Sequence, residues 1–351
     1  MKRTFSLLFT VFIVVYVWTG YQAIREGHVH SLSKGSLSDI AEEVTAIPLE
    51  TGAHCRLQKI RQIKRDGEDI FLVSDRQLYH FNSSGKFLGQ ITAHCPQAGK
   101  HSIEVADYVV DPIRNQLIVV GNRQEVHHYD YDGQLLSLNT LPQDDSWKTF
   151  GNMAYFDDRL WVTVDLVNSG DGQVPAIEQW LYTFDLDFRE IDRRKLKAAD
   201  LGRMDIDCKP NPEIGVSNGH VYVQSLTLQP AHILEDTLYL IRSNKLEIED
   251  NCTTILPLRI GTRFLMSVYC DPIAADRSYT FCYDRLKTKA YNVQGGLDDN
   301  FYRTGKVPDL QPMDIYNNTY CYYKSGKAVA HSFPERTDTD SPVLFILKIK
   351  A

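Results

Sequence analysis

The sequence lacks any block of lysine and arginine, and its 38 basic residues are outnumbered by 45 acidic ones. With a formal net charge of -7, nucleic acid is not an expected partner. No CxxC pair occurs, so a structural zinc knot is not expected. The G-x-S-x-G elbow, the phosphate-binding loop and the dinucleotide fingerprint are all missing. No EF-hand loop occurs either. Amphipathic helices of roughly ten residues or more do not alternate with the strand candidates, which argues against a doubly wound sheet and a barrel with outer helices.

What is present is strand. Hydrophobic residues make up 43%, with 19 Tyr and 15 Phe, ample for a sizeable core. The run Asp69–Thr92, DIFLVSDRQLYHFNSSGKFLGQIT, holds three short candidates, Ile70–Ser74, Gln77–Asn82 and Phe87–Thr92. The turn Asn82-Ser83-Ser84-Gly85 separates the last two. The pattern returns over Gln116–Leu141, where a strand ends in Tyr-Asp, an Asp-Gly turn follows, and a strand opens on Leu.

Further units follow at Met153–Phe156 with Leu160–Leu166 and Leu181–Asp185, then at Ile214–Val216, Val221–Ser225, Leu238–Ile241 and Leu246–Glu249. A fifth spans Thr262–Cys270, Ser278–Tyr283 and Lys289–Val293, and a last one Ile315–Tyr316, Thr319–Tyr323 and Val343–Lys348. Gly295-Gly296 and the following Leu297-Asp298-Asp299 read as a loop. The expected fold is all-β, a six-bladed β-propeller of four-stranded antiparallel blades over residues 37–351. The early strand Val44–Leu49 is expected to join the last blade beside Pro342–Lys350. That would close the ring and cover an aggregation-prone edge.

Lys2 and Arg3 precede an apolar stretch, Phe5–Trp18, in the shape of a secretory signal or an N-terminal membrane anchor over residues 1–23. Residues 24–36 read as a linker. The chain is therefore expected in the periplasm or cell envelope, with residues 5–18 as the anchoring segment if uncleaved. The seven cysteines, Cys55, Cys95, Cys208, Cys252, Cys270, Cys282 and Cys321, are widely spaced and read mostly as buried thiols.

Four phrases resemble the exported six-bladed β-propeller proteins of Bacteroidetes: Leu37-Ser38-Asp39-Ile40 with Ile47-Pro48-Leu49-Glu50-Thr51, the stretch Leu78–Gly89, Ala106-Asp107-Tyr108-Val109-Val110-Asp111, and Asp340–Leu344 with Leu347-Lys348-Ile349-Lys350. The resemblance implies an exported propeller and supplies no catalytic residues. Many such proteins are lipoproteins, but no cysteine follows the apolar stretch here, so lipid attachment is not carried over.

Candidate chemistry is sparse. Asp75, Asp111, Asp130, Asp132, Asp158, Asp165, Asp185 and Asp187 are the carboxylates that could work in pairs, but Asp130 and Asp132 flank an Asp-Gly turn that explains them without catalysis. Asp205, Asp207 and Cys208 make a poor calcium loop, and the adjacent His127 and His128 must point to opposite faces of a strand. No catalytic, cofactor or metal residue is assigned. Trp147 and Trp180 are the candidate ligand contacts, able to stack on a sugar or bury an aromatic anchor. The expected function is a binding or scaffold propeller for a glycan, a peptide or an envelope protein. A carbohydrate-active hydrolase or lyase with carboxylates at the channel mouth is the alternative.

Overall fold

The computed structural model describes residues 34–93, 103–122, 125–140, 149–168, 176–196, 213–217, 220–224, 256–260, 263–270, 278–284, 286–287, 289–307, 310–314, 317–334 and 340–351. The first strand is β1 (Ala41–Pro48), preceded by one helical turn, Leu37–Ile40. A first sheet follows in the order β2 (Ile60–Asp66), β3 (Asp69–Ser74), β4 (Gln77–Asn82), β5 (Phe87–Gln90). A second holds β6 (Val105–Asp111), β7 (Gln116–Gly121), β8 (Glu125–Asp130) and β9 (Leu135–Thr140). A third holds β10 (Thr149–Phe156), β11 (Arg159–Asn168), β12 (Ala176–Phe184) and β13 (Glu190–Lys195).

Then come the pair β14 (Glu213–Ser217) and β15 (His220–Gln224) and the sheet β16 (Leu256–Ile260), β17 (Phe264–Cys270), β18 (Ser278–Asp284), β19 (Lys289–Gln294). A short hairpin, β20 (Leu297–Asp299) with β21 (Gly305–Val307), precedes β22 (Gln311–Asp314), β23 (Thr319–Lys324) and β24 (Val343–Ile349). Those last three form a sheet whose outer position is taken by β1. Every strand pair is antiparallel.

The fold is an all-β propeller. The first strands of the sheets meet side by side: β2 touches β6 and β22, β6 touches β10, β10 touches β14, and β14 touches β22. The second strands β3 and β7 are buried on both faces, which is why they read as unbroken apolar runs. In β3, Phe71 and Val73 pack with Leu117 and Val119 of the second sheet. Ile70 and Leu72 pack with Cys321 and Leu344 of the last sheet. Alternate residues of one strand thus serve two different cores, and the relation repeats when Ile118 and Val120 pack with Val162 and Val164.

The turn between third and fourth strands recurs with one design. The side chain of Asn82 accepts from the backbone of Ser84 and Lys86, Asp130 from Gln134, Asp185 from Asp187 and Arg189, and Asp284 from Leu286 and Lys287. A side-chain oxygen three bonds from Cα mimics a backbone carbonyl and closes the turn. Three residues beyond the first two of these sit Gly85 and Gly133, both at φ +83°. A Cβ on Gly85 would lie 2.1 Å from the carbonyl oxygen of Pro48, and one on Gly133 3.2 Å from Ile91. Glycine therefore serves close approach between sheets as well as the turn itself. In the third sheet Phe188 takes that place at φ 60° and turns its buried ring onto Phe184, with centroids 5.8 Å apart.

Several expected boundaries shift. The fifth unit begins before Thr262, with a separate first strand, β16, which pairs with β17 from Leu256↔Val268 to Ile260↔Phe264. The segment Leu297–Asp299 is a strand of a hairpin, with Asp299 holding the turn through the backbone of Phe301 and Tyr302. The last sheet starts at β22, earlier than Ile315, and residues 315–316 lie outside the described residues. So do Leu238–Ile241 and Leu246–Glu249. Gly35 is already packed, its carbonyl accepting from Asp298 N at 2.8 Å.

Head and tail meet in one sheet. β1 runs antiparallel to β24 from Ala41↔Ile349 to Pro48↔Val343. Leu49 N donates to Pro342 O at 2.9 Å, and the hydroxyls of Thr51 and Ser341 share a hydrogen bond. The outer edge of β1 is capped by Tyr302, whose hydroxyl accepts from Ala46 N and donates to Val44 O. Beyond β1, Glu50 N donates to Gly85 O of the first sheet at 2.8 Å.

Candidate functional site

The propeller axis is bounded by first strands, and each of four of them carries a register break. The breaks fall between Arg61 and Lys64, Val105 and Asp107, Phe150 and Met153, and Pro312 and Asp314. At such a bulge the ladder opens and backbone groups need other partners. Between β2 and β6 the partners are side chains. Arg61 donates to Val105 O at 2.9 Å, Gln62 Nε2 to Ala106 O at 3.1 Å, and Lys64 Nζ to Tyr108 O. In return the Tyr108 hydroxyl reaches Gln62 O at 2.6 Å and Phe71 O at 2.9 Å.

Asp107 ties the next strand in. It accepts from Tyr108 N at 2.7 Å and from Met153 N of β10 at 2.6 Å, and Lys64 stands 3.9 Å away. Burial pushes the Asp107 carboxyl up and the Lys64 ammonium down, each opposed by the other's charge. The most polar stretch of the axis is thus spent on joining three first strands. The phrase Ala106–Asp111, singled out in the sequence, supplies Asp107 and Tyr108 to this seam and Asp111 to the turn beyond.

Asp111, Asp130, Asp158 and Asp185 are structural as well. Asp111 accepts from the backbone of Ile113 and Arg114 and from the Arg114 guanidinium at 2.9 Å. That guanidinium also binds Asp158 at 2.7 Å and holds its carboxyl below the usual range. Asp130 and Asp185 close turns, as described above. Asp165 has a described backbone only, and Asp205, Asp207 and Cys208 lie outside the described residues. His127 bonds Tyr129 within its own strand at 2.9 Å, whereas burial lowers both His127 and His128. No group of three metal-ligating side chains exists among the described residues. Cys55, Cys282 and Cys321 are buried thiols, and burial raises Cys55 to about 11 and Cys282 to about 12.

The two ends of the propeller differ. At one end first strands turn into second strands and third into fourth, through tight turns such as 67–68, 83–86, 112–115, 131–134 and 157–158. At the other end the described strands are separated by longer stretches of sequence, 91–104, 141–148, 169–175, 196–212, 271–277 and 325–342, much of which lies outside the described residues. Trp180 lies on β12, which runs away from that second end, and Trp147 lies in the connection 141–148, outside the described residues. On β12 Phe184 and Tyr182 are buried against the second sheet, while Trp180 and Glu178 beyond them are only half-buried. Trp180 packs at the margin of the core between the second and third sheets without being fully buried.

The indole is fixed there. Its N–H donates to Glu178 Oε2 at 3.2 Å, and Glu178 Oε1 receives Lys195 Nζ at 2.6 Å. Lys195, with help from the indole N–H, holds the Glu178 carboxyl below its usual range. Lys195 is the cross-strand partner of Trp180, and Arg193 that of Tyr182. Their cationic groups stand 5.9 Å and 6.0 Å from the indole centroid. Sequence reasoning found Trp180 but not these neighbours, because register across β12 and β13 was not fixed by the sequence.

The sequence profile of a family described as a domain of unknown function, DUF4934, matches residues 24–250. The chain belongs to the DUF4934 family. No curated protein matches this DUF4934 chain significantly. A solved structure of a Bacteroides fragilis protein described as exported is similar over 91% of this chain and 99% of its own, at 16% identity and a TM-score of 0.55. It supports the fold. A DUF4221 member from Bacteroides vulgatus is similar over 88% of this chain and 97% of its own, at 9% identity and a TM-score of 0.41. The extracellular domain of a hybrid two-component system from B. thetaiotaomicron is similar over 74% of this DUF4934 chain and 30% of its own, at 14% identity and a TM-score of 0.37. No helix among the described residues is long and apolar enough to cross a membrane, and residues 5–18 lie outside them.

Proposed function

We propose that this DUF4934 protein is an exported binding or scaffold propeller of the periplasm or cell envelope, engaging a glycan, a peptide or an envelope protein at the end that carries the long connections. The observation carrying this reading is the asymmetry of the two ends. Tight turns leave little to vary, whereas long connections on a rigid scaffold are where recognition surfaces are built. Trp147 and Trp180 belong to that end as proposed ligand contacts. The employment of Asp111, Asp130, Asp158 and Asp185 in turns and ion pairs favours binding over acid–base chemistry. Export draws support from Lys2, Arg3 and the apolar Phe5–Trp18.

The ring is proposed to hold six four-stranded blades. Leu238–Ile241 and Leu246–Glu249 would be the outer strands of the blade begun by β14 and β15, with β1 closing the last blade. A screen of purified protein against glycans, scored for both binding and hydrolysis, tests the function. Binding without turnover is expected; turnover abolished by a single axial Asp→Asn change would replace this reading with the enzyme.

A further inference from the structure

We infer that His80 is a pH-sensitive clasp between the first and second sheets, closed when its ring carries two protons and opened when it loses one. The ring is buried on β4, where His80 pairs with Phe71 of β3 and with Gly89 of β5. Both of its nitrogens are engaged. Nδ1 stands 2.9 Å from the backbone carbonyl of Tyr131, in the turn 131–134 of the second sheet. Nε2 stands 2.6 Å from the Asp69 carboxylate of its own sheet. A carbonyl oxygen only accepts, so Nδ1 must donate. A charged carboxylate only accepts too, so Nε2 must also donate, and the ring is an imidazolium. Were that proton moved across to Asp69, the pair would still hold two. Taking one away leaves a nitrogen lone pair facing an oxygen lone pair. The charge-assisted bond to Asp69 is the stronger of the two, so the bond that yields is the one to Tyr131, which joins the sheets.

The surroundings agree with a charged ring. His80 stacks on Phe71 with centroids 4.5 Å apart, and an aromatic face favours a cation over a neutral ring. Tyr131 sets its own ring edge-on to both, 4.8 Å from Phe71 and 6.1 Å from His80, and its hydroxyl donates to Asp66 at 2.6 Å. The charged groups about the clasp are thus Asp69 of β3 on the imidazole, Asp66 of β2 on Tyr131, and Asp111 of β6, which also acts on Tyr131. From β5 only Gly89 stands opposite, and Glu68 in the turn before β3 is exposed, beside Arg65 and bonded by Ser83. Burial and the bond to Asp66 hold the Tyr131 phenol well above its usual range, so it stays neutral while the imidazole titrates. The next seam lacks the device. His128 holds the same register in the second sheet, opposite Ile118, but Gln116 takes the position of Asp69. Its Nε2 has no partner among the described residues. Burial lowers His128, aided by His127 and opposed by the charges of Asp187 and Asp111.

The test follows the full chain by magnetic resonance from about pH 5 to about pH 10, with the histidine ring nitrogens isotopically labelled. His80 should show two protonated nitrogens at the acid end and lose one on the way up. Amide exchange in the turn 131–134, corrected for the intrinsic effect of pH, should quicken by at least about tenfold over that same titration, the loss expected of one hydrogen bond to a charged group. His128 should show a single protonated nitrogen at neutral pH. His80→Gln keeps a donor but cannot titrate, and should abolish the step in exchange. Asp69→Asn keeps an acceptor without its charge; it should move the ring titration and the step to lower pH together, and it serves should His80→Gln fail to fold. A His80 ring with one protonated nitrogen throughout, a ring that keeps both to the alkaline end, exchange that does not follow the ring, or a step that survives His80→Gln would overturn the inference.

Discussion

At the residue scale, Phe188, Gly85 and the Arg263–Asp284 pair show what single side chains contribute to the turns. Phe188 occupies a left-handed backbone conformation that glycine fills in the first two sheets, and its ring repays that cost through the core it shares with Phe184 and Tyr182. Phe188→Gly should relieve about 1 kcal/mol of backbone strain and lose about 3–5 kcal/mol of packing, a net loss in urea unfolding. Gly85→Ala should also destabilise, for the opposite reason: φ +83° suits glycine but strains alanine, and the new Cβ would meet Pro48 O. The ion pair Arg263–Asp284 sits at 2.9 Å with Asp284 nearly inaccessible, and Arg263 holds that carboxyl below its usual range. A depressed carboxyl contributes its stability above the unfolded value of about 4 and loses it as the pH falls through the folded value. Acid unfolding of wild type should therefore steepen below about pH 4, and Asp284→Asn should flatten that limb in a pH series of thermal melts.

At the scale of the element, the axial seam replaces a hydrogen-bond ladder with side chains. Asp107→Ala would leave the amides of Tyr108 and Met153 without their acceptor, at a cost of about 2–4 kcal/mol in chemical denaturation. Asp107→Asn should cost less, because an amide oxygen still accepts. Most strands were legible from the sequence because alternate residues feed cores on both faces, and the recurring Asx turn at Asn82, Asp130 and Asp185 marked the repeat. The hairpin Leu297–Val307 escaped notice because two glycines and three short polar stretches look like loop. β16 went unassigned because Pro257 in its middle reads against a strand. The cations beside Trp180 stayed hidden for a different reason: a bulge between Thr183 and Phe184 sets the register of β13, and nothing in the one-dimensional pattern announces it.

At the scale of the whole molecule, the proposed ring depends on its first and last strands sharing a sheet. Deleting residues 37–50 would uncover the edge of β24, VLFILKI, whose residues are nearly all buried. Lower solubility and a lower melting temperature are the expected result, read by light scattering and calorimetry. Unchanged folding would rule the closure out. Tyr302→Phe offers a milder probe, since it removes only the hydroxyl that caps β1, and should cost about 1 kcal/mol.

The pairing of Ala41 with Ile349 also fixes an order of events in biosynthesis. A nascent chain carries β1 unpartnered until β24 has been made, because all the other described sheets lie between the two in sequence. A product that stops short of β24 lacks that partner and presents an open edge to proteases and to other unfinished copies. If the chain crosses a membrane before folding, the sheet that β1 completes can assemble only on the far side, once β24 has passed through.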